Sequence, residues 1–267
     1  MAGEEEAVHQ IRVCSRRLRV AVLLLAGKPD GKRARRVRRL LAQLTRTAGD
    51  ARDLDVLLST FDGRLRQVAP RTAAQNRLRH RLASLRRRGR AHMMKSLLDR
   101  PLGRLRADLA ELASRACPDL ALLERRFRAL CADESRRLLD GFAALGALLD
   151  VAALHALRRR ARRVRYGVEI FVELFDGEAS ATKPWKTLQE IIGVLHDHHA
   201  LAEWLGRQAQ LDKQRGHDTL AATATGEASW AQQTVRRLHD ELLAADPANL
   251  VGRGLAAVGC APQPQAR

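Results

Sequence analysis

The feature that most constrains this chain is a basic helix written twice. His9, Arg12, Arg16, Arg17 and Arg19 recur 146 residues later, at identical spacing, as His155, Arg158, Arg162, Arg163 and Arg165. At about 100° per residue, the first, second, third and fifth members fall within an arc of roughly 80° on a helix. Each copy therefore predicts one stripe of a histidine and three arginines. A like-charged stripe repels itself, so two copies point to a site for a large polyanion.

The repetition extends to the apolar residues. Ile11, Ser15, Leu18, Val22 and Leu25 are expected to face the core beside the first stripe, and Leu157, Ala161, Val164, Val168 and Phe171 beside the second. A second matched pattern lies about 40 residues further on. Leu44, Gly49, Arg52 and Asp53 correspond to Leu188, Gly193, His196 and Asp197. Two matched segments at nearly constant separation predict a duplicated helical unit with pseudo-twofold character.

Ala, Leu and Arg dominate the 267 residues, and alternating Val/Ile/Thr runs are absent, so the expected fold is all-α. Helices are predicted at about 5–26, 31–48, 50–68, 72–98, 101–116, 119–148, 151–175, 181–211 and 218–245. Breaks are placed at 27–31, Pro70, Pro101, Pro118 and Asp176-Gly177, with Asp30 as an N-cap. Residues 1–100 then form a first helical repeat, 101–118 a joining segment, 119–245 a second repeat, and 246–267 a short helix with a loose tail.

Charge narrows the choice of partner. The net charge is +18, and it is uneven: residues 1–100 hold 25 Lys/Arg against 9 Asp/Glu, whereas residues 101–267 hold 23 against 21. A field of this kind suits nucleic acid, an anionic membrane surface or an inorganic polyanion. Residues 32–39 carry six cations in eight positions. Residues 63–98 carry ten Arg and one Lys with no acid, and Arg77, Arg81, Arg88 and Lys95 share one helical face there. The bland alternative is a solvated basic surface whose arginine stems cover apolar area.

Other classes find less in the sequence. The first ten residues, MAGEEEAVHQ, lack the profile of a signal peptide, and no apolar run approaches a membrane span. A cytoplasmic protein with no membrane role is expected. The four cysteines, Cys14, Cys117, Cys131 and Cys260, form no CxxC and are read as reduced thiols, with Cys14 a small buried hydrophobe. No ExE, GxxxxGK[ST] or HExxH run offers metal or nucleotide chemistry, so neither an enzyme nor a cofactor is expected. His196 and His199 are one turn apart and could share an ion, but a solvated or capping cluster is the preferred reading. Asp53 and Asp197 are expected to orient arginines or cap helices.

The pattern H-x-x-R-x-x-x-R-R-x-R followed by G-x-x-R-D-L-D resembles the CHAD family, the conserved histidine α-helical domain. Arg165-Tyr166-Gly167-Val168-Glu169 and the segment Leu188 to Asp197 extend the resemblance through about residue 210. It implies two helical bundles related by a pseudo-twofold axis, with a basic cavity between them. It further implies binding of inorganic polyphosphate and association with polyphosphate granules. The family's basic residues carry over to His9, Arg12, Arg16, Arg19, His155, Arg158, Arg162 and Arg165, and Arg52 carries over from the Arg-Asp motif. His196 replaces Arg52 in the second copy. Arg81 and Arg88 join the expected polyphosphate-binding set from the acid-free helix. Some relatives also carry a β-barrel that hydrolyses triphosphates, and this chain has no β-rich segment for one.

Arginine suits polyphosphate, because its fork makes bidentate contacts and stays charged. Histidine adds a conditional charge favoured beside an anion. Nucleic acid is the main alternative partner. Only nine Phe, Trp and Tyr occur, and only Tyr166 interleaves with a stripe, whereas single-strand binders stack bases on aromatics. A scaffold docking an acidic protein would show an exposed apolar surface rimmed by basic residues, and none is visible.

Overall fold

The computed structural model describes residues 2–68, 70–146 and 149–260, with side chains from residue 5 onward. The described residues are almost wholly helical: α1 (Ala2–Leu25), α2 (Lys32–Gln67), α3 (Ala73–Leu98), α4 (Leu102–Ser114), α5 (Leu120–Ala143), α6 (Val151–Leu174), α7 (Lys183–Gln214), α8 (Asp218–Ala244) and α9 (Pro247–Ala256), with a 3-10 turn over Ala179–Thr182 before α7. Their extended structure is confined to an isolated bridge between Ala26 and Ala116. The all-α expectation holds. The last residues of the expected tail lie outside the described residues.

Local chemistry sets most of the helix ends. Thr72 and Gln75 form a reciprocal capping box at the start of α3. Asp119, Asp150 and Asp246 accept from backbone N–H groups at the starts of α5, α6 and α9. Asp176 turns left-handed after α6, and Gly177 N–H donates to Val172 O at 2.9 Å. Asp30, expected as an N-cap, receives Arg38 at 3.4 Å. Arg126 Nη1 caps the other end of α1 by donating to Leu24 O (2.9 Å) and Ala26 O (2.8 Å). Gly27 follows, where a Cβ would stand 2.7 Å from Arg115 O, so the close approach excludes any side chain.

One expected break does not occur. The chain runs through Gly49 as a single 36-residue helix, α2, rather than as two helices meeting near residue 49. An interior glycine costs about 1 kcal/mol against alanine, which packing on both sides can offset. Ala48 and Ala51 are buried against Val8 and Met93 beside it. The predicted reach of the fifth helix to residue 148 also shortens, since α5 ends at Ala143.

The chain divides into two compact units. Unit 1 contains Met1–Cys14, Gln43–Arg100 and Val194–His239; unit 2 contains Ser15–Ala42, Pro101–Gly193 and Asp240–Arg267. In unit 1, Phe61 and Leu65 of α2 pack with Leu78 and Leu82 of α3, Leu201, Trp204 and Leu205 of α7, and Leu220 and Ala224 of α8. In unit 2, Phe127, Leu130 and Leu138 of α5 and Leu157, Ala161, Val164 and Val168 of α6 are buried. The two helices touch closely: a Cβ at Gly141 would meet Leu157 Cδ2 at 2.6 Å.

Both units bury carboxylates between pairs of arginines, in unit 2 including Asp108 between Arg33 (3.5 Å) and Arg36 (2.6 Å). In unit 1, Asp55 Oδ1 accepts from Arg86 Nε (2.7 Å) and Arg90 Nη2 (2.8 Å). In unit 2, Glu134 accepts from Arg160 Nη1 (3.0 Å) and Arg163 Nη1 (2.7 Å). Removing one partner of such a buried set leaves uncompensated charge and costs about 3–5 kcal/mol. Asp53, two residues from Asp55, has a largely exposed side chain and pairs with Arg12. Asp55→Ala is therefore expected to lower unfolding free energy by about 3–5 kcal/mol, and Asp53→Ala by about 1 kcal/mol or less. Urea denaturation of the two variants checks this, and equal losses would contradict it.

Candidate functional site

Helix α1 carries the first stripe and α6 the second. His9, Arg12 and Arg16 are half-buried and Arg19 is exposed; His155 is exposed, and Arg158, Arg162 and Arg165 are half-buried. The apolar face beside α6 is largely as expected, with Leu157, Ala161, Val164 and Val168 buried. On α1 the agreement is partial. Ser15 and Val22 are buried, but Leu18 is exposed, and Val8, Val20 and Leu24 complete the buried side. Cys14, expected inside, is exposed.

The fourth member of each motif leaves the stripe by geometry and serves the fold. Arg17 Nη2 donates to Glu173 of α6, and Arg163 donates to the buried Glu134. The Arg17 pair sets the C-terminal part of α1 beside the end of α6 within unit 2. Unit 2 thus gathers Arg16 and Arg19 with His155, Arg158, Arg162 and Arg165, whereas His9, Arg12, Arg52, Arg81 and Arg88 belong to unit 1.

The two matched segments meet in both units. In unit 1, Arg12 Nη1 lies 2.6 Å from Asp53 Oδ1 and 3.5 Å from Gly49 O. In unit 2, a Cβ at Gly193 would sit 3.7 Å from Arg158 Nη2. The arginine three residues after the histidine therefore reaches the matched glycine each time. Asp53 does orient a stripe arginine. Arg165 Nε lies 3.2 Å from Glu169 Oε1, with its guanidinium 5.1 Å from the Tyr166 ring centre.

The remaining site candidates fare differently. Arg52 Nη1 is 4.0 Å from Asp55 Oδ2, the oxygen of Asp55 that accepts no hydrogen bond among the described residues. Arg81 places Nη1 at 2.6 Å and Nη2 at 2.9 Å from the two oxygens of Asp212, tying α3 to α7. Arg88 is exposed on α3. The acid-free stretch 63–98 is acid-free only along the chain. Its carboxylates arrive from elsewhere: Asp62 for Arg79, Glu227 for Arg64, Asp212 for Arg81, and Asp55 for Arg86 and Arg90. The 32–39 run is likewise divided. Arg36 makes a bidentate pair with Asp108 (2.6 and 2.8 Å), and Arg33 reaches Glu111 at 3.0 Å, while Lys32, Arg35 and Arg39 are exposed.

Sequence reasoning missed Asp55, Glu134 and Asp212. Asp55 closes the G-x-x-R-D-L-D pattern and was the legible one of the three; the other two have no local signature. Around residue 197, the His198 ring Nδ1 donates to Val194 O (2.9 Å), and His199 Nε2 stands 3.7 Å from Glu203 Oε1. Among the described residues, no group of three or more His, Cys, Asp or Glu side chains is placed to hold a metal ion. No helix among them is long and apolar enough to cross a membrane.

The CHAD domain family model matches residues 1–206, which takes in both basic stripes and both matched segments. The chain belongs to the CHAD family. A crystal structure of the CHAD domain from the plant Ricinus communis is similar to it over 98% of this chain and 84% of that one, at 24% identity and a TM-score of 0.60. That likeness is one of fold, and it takes in α8 and α9, which lie beyond the family match. No curated protein matches the chain.

The Arg81–Asp212 pair gives this CHAD protein a pH dependence. The Arg81 hydrogen bonds hold the Asp212 carboxyl below its usual range, against the opposing cost of burial, with His217 adding a smaller pull. In acid the unfolded chain then binds the Asp212 proton more readily than the folded one, so this stabilisation is present above the unfolded value near 3.9 and is lost as pH falls through the folded one. Thermal melts from pH 6 down to pH 2 are expected to show a shallower acid loss in Asp212→Asn than in the wild-type chain, from a lower starting stability. Parallel curves would contradict this assignment.

Proposed function

We propose that this CHAD protein binds inorganic polyphosphate along its two basic stripes and is thereby brought to polyphosphate granules. It acts as a binding module and not as an enzyme. The observation that carries the reading is the duplicated stripe itself. The same histidine and three arginines occur at one spacing on α1 and α6, and in both copies the stripe arginine meets the glycine of the second motif. A linear polyanion with about one charge per phosphate can engage successive guanidinium forks, each bond charge-assisted. His9 and His155 strengthen the grip where they are protonated. Arg52, Arg81 and Arg88 lie in the same basic unit as His9 and Arg12 and extend the positive field around the contacts.

Charge alone also attracts nucleic acid, and the deciding experiment sets the two side by side. Long-chain polyphosphate, duplex DNA and single-stranded RNA are titrated at matched phosphate concentration and physiological salt. Polyphosphate is expected to displace both nucleic acids, and equal or tighter nucleic-acid binding would overturn the reading in favour of a nucleic-acid partner. Log affinity should fall steeply with log salt, as several arginines release counterions together.

The residue assignment has its own test. Arg16→Ala and Arg162→Ala should each weaken polyphosphate binding by about 1–3 kcal/mol. Arg207→Ala and Arg253→Ala, outside the stripes, should leave it nearly unchanged. Calorimetric titration of the four variants decides, and four similar losses would mean diffuse attraction without a stripe site. Polyphosphate at 100 times its dissociation constant should add about 2.7 kcal/mol to wild-type stability, since it binds only the folded chain.

A further inference from the structure

The polyanion reading makes no use of Cys131 and Cys260, which the fold of unit 2 brings together across 129 positions. Cys131 is fully buried on α5, and Cys260 follows the end of α9 with its side chain partly open. The two thiols lie near enough to influence each other's protonation. Helix α9 is held in place by close packing, because Gly254 lies so near Trp185 that a Cβ would meet the indole at 2.6 Å. Its last turn ends in a Schellman cap. Gly259, at φ +64°, donates to Ala256 O (3.0 Å), and Cys260 N–H donates to Leu255 O (2.9 Å). Arg128, one turn before Cys131 on α5, fastens this cap by donating from Nη1 to Gly259 O at 2.6 Å. The same Nη1 stands 3.9 Å from Cys260 Sγ. Glu124 holds the far side of that guanidinium, at 3.0 Å from Nε and 2.6 Å from Nη2.

We propose that Cys260 and Cys131 form a peroxide-sensitive thiol pair, in which Cys260 is the reacting sulfur and Cys131 closes an intramolecular disulfide between α5 and the end of α9. In the first step the Cys260 thiolate attacks one oxygen of hydrogen peroxide. The O–O bond breaks and hydroxide leaves, giving a sulfenic acid at Cys260. In the second step the Cys131 sulfur attacks the Cys260 sulfur and the S–O bond breaks. The departing hydroxide takes the Cys131 proton, and the products are a disulfide and water. Sulfur is oxidised and peroxide reduced by two electrons overall. Disulfide closure brings the two sulfurs to about 2 Å, and Arg128 already holds the end of α9 against α5.

The electrostatics fit these roles. Among the described residues, the groups facing Cys260 are Cys131, Arg128 and Glu124. The Cys131 thiol and the Arg128 charge outweigh burial and the opposing Glu124 charge, and bring the Cys260 thiol to about 7. The Cys260 interaction and burial push the Cys131 thiol up, so Cys131 keeps its proton until the second step. A thiolate present at neutral pH and partly open to solvent is the form peroxide attacks.

The full reduced chain is treated with stoichiometric hydrogen peroxide at pH 7, alkylated, digested and mapped by mass spectrometry. The expected product is a cross-linked pair of peptides containing Cys131 and Cys260, from a chain that stays monomeric on a non-reducing gel and reverts with dithiothreitol. Cys131→Ser should stop at the Cys260 sulfenic acid, trapped by dimedone, and Cys260→Ser should leave Cys131 unoxidised. Arg128→Gln, which spares both sulfurs, should slow the oxidation about fivefold by reducing the thiolate fraction. The wild-type rate should rise with pH through about 7. Oxidation of Cys14 or Cys117 ahead of Cys260, or a Cys131 that stays free while Cys260 is over-oxidised, would overturn the proposal. The wild-type cross-link alone decides if a variant fails to fold.

Discussion

A carboxylate buried between two guanidinium groups one helical turn apart fixes each unit of this protein. Asp55 sits between Arg86 and Arg90 of α3, and Glu134 between Arg160 and Arg163 of α6. The shared anion turns the mutual repulsion of each arginine pair into a net attraction. Neither carboxylate could be buried without its cations, since an unpaired buried charge drives its own protonation or unfolding. The arrangement commits a specific face of one helix to a specific position on another. Ridge packing of Leu and Ala alone discriminates poorly among rotations in a chain so uniform in composition. Placing one short acid opposite two arginines selects a single register.

That device changes the meaning of the high positive charge. Along the chain, 63–98 reads as a segment crowded with cations and lacking any acid. In the folded protein, Arg64, Arg79, Arg81, Arg86 and Arg90 each meet a carboxylate carried by another part of unit 1. The self-repulsion expected of that segment is thus offset in part, at these five arginines. The ordinary division, with apolar residues inside and charges outside, gives way to a paired set at the helix contacts and a basic surface around it. Arginine permits this where lysine would not, because one guanidinium can pair with a carboxylate and still cover apolar neighbours with its stem.

These two levels differ in how far the sequence discloses them. Helix content and the turn at Asp176-Gly177 were legible, because each depends on a few adjacent residues, whereas the caps at Thr72, Asp119 and Asp150 were not assigned. The continuity of α2 through Gly49 was not legible. A glycine is a break by local propensity, and only the packing of Ala48 and Ala51 against Val8 and Met93 overrides it. The exposure of Cys14 and Leu18 was also hidden, since α1 buries Val20 and Leu24 as well as the expected side carrying Ser15 and Val22. Spacing identified the stripes and left Arg17 and Arg163 outside them, but it could not name what those two arginines pair with. Their partners, Glu173 and Glu134, belong to other segments, and pairing across such distances leaves no trace in periodicity.

The duplicated pattern acquires a physical sense once the second motif is set beside the first. Arg12 reaches the Gly49 carbonyl, and Arg158 lies against Gly193. A Cβ at Gly49 would meet nothing within 4 Å and one at Gly193 would touch the Arg158 guanidinium only at van der Waals distance, so the placing of the second segment, and not the lack of a side chain, sets these contacts. The stripe arginine lies against that segment in both copies. In the first copy Asp53 adds a second brace by accepting from the same nitrogen. A braced guanidinium has lost part of its rotamer freedom before any ligand arrives, so less is lost when it binds an anion. Strict spacing in the basic motif and the matched second segment are therefore two parts of one arrangement. The motif sets where the cations lie along the helix, and the second segment sets where one of them rests.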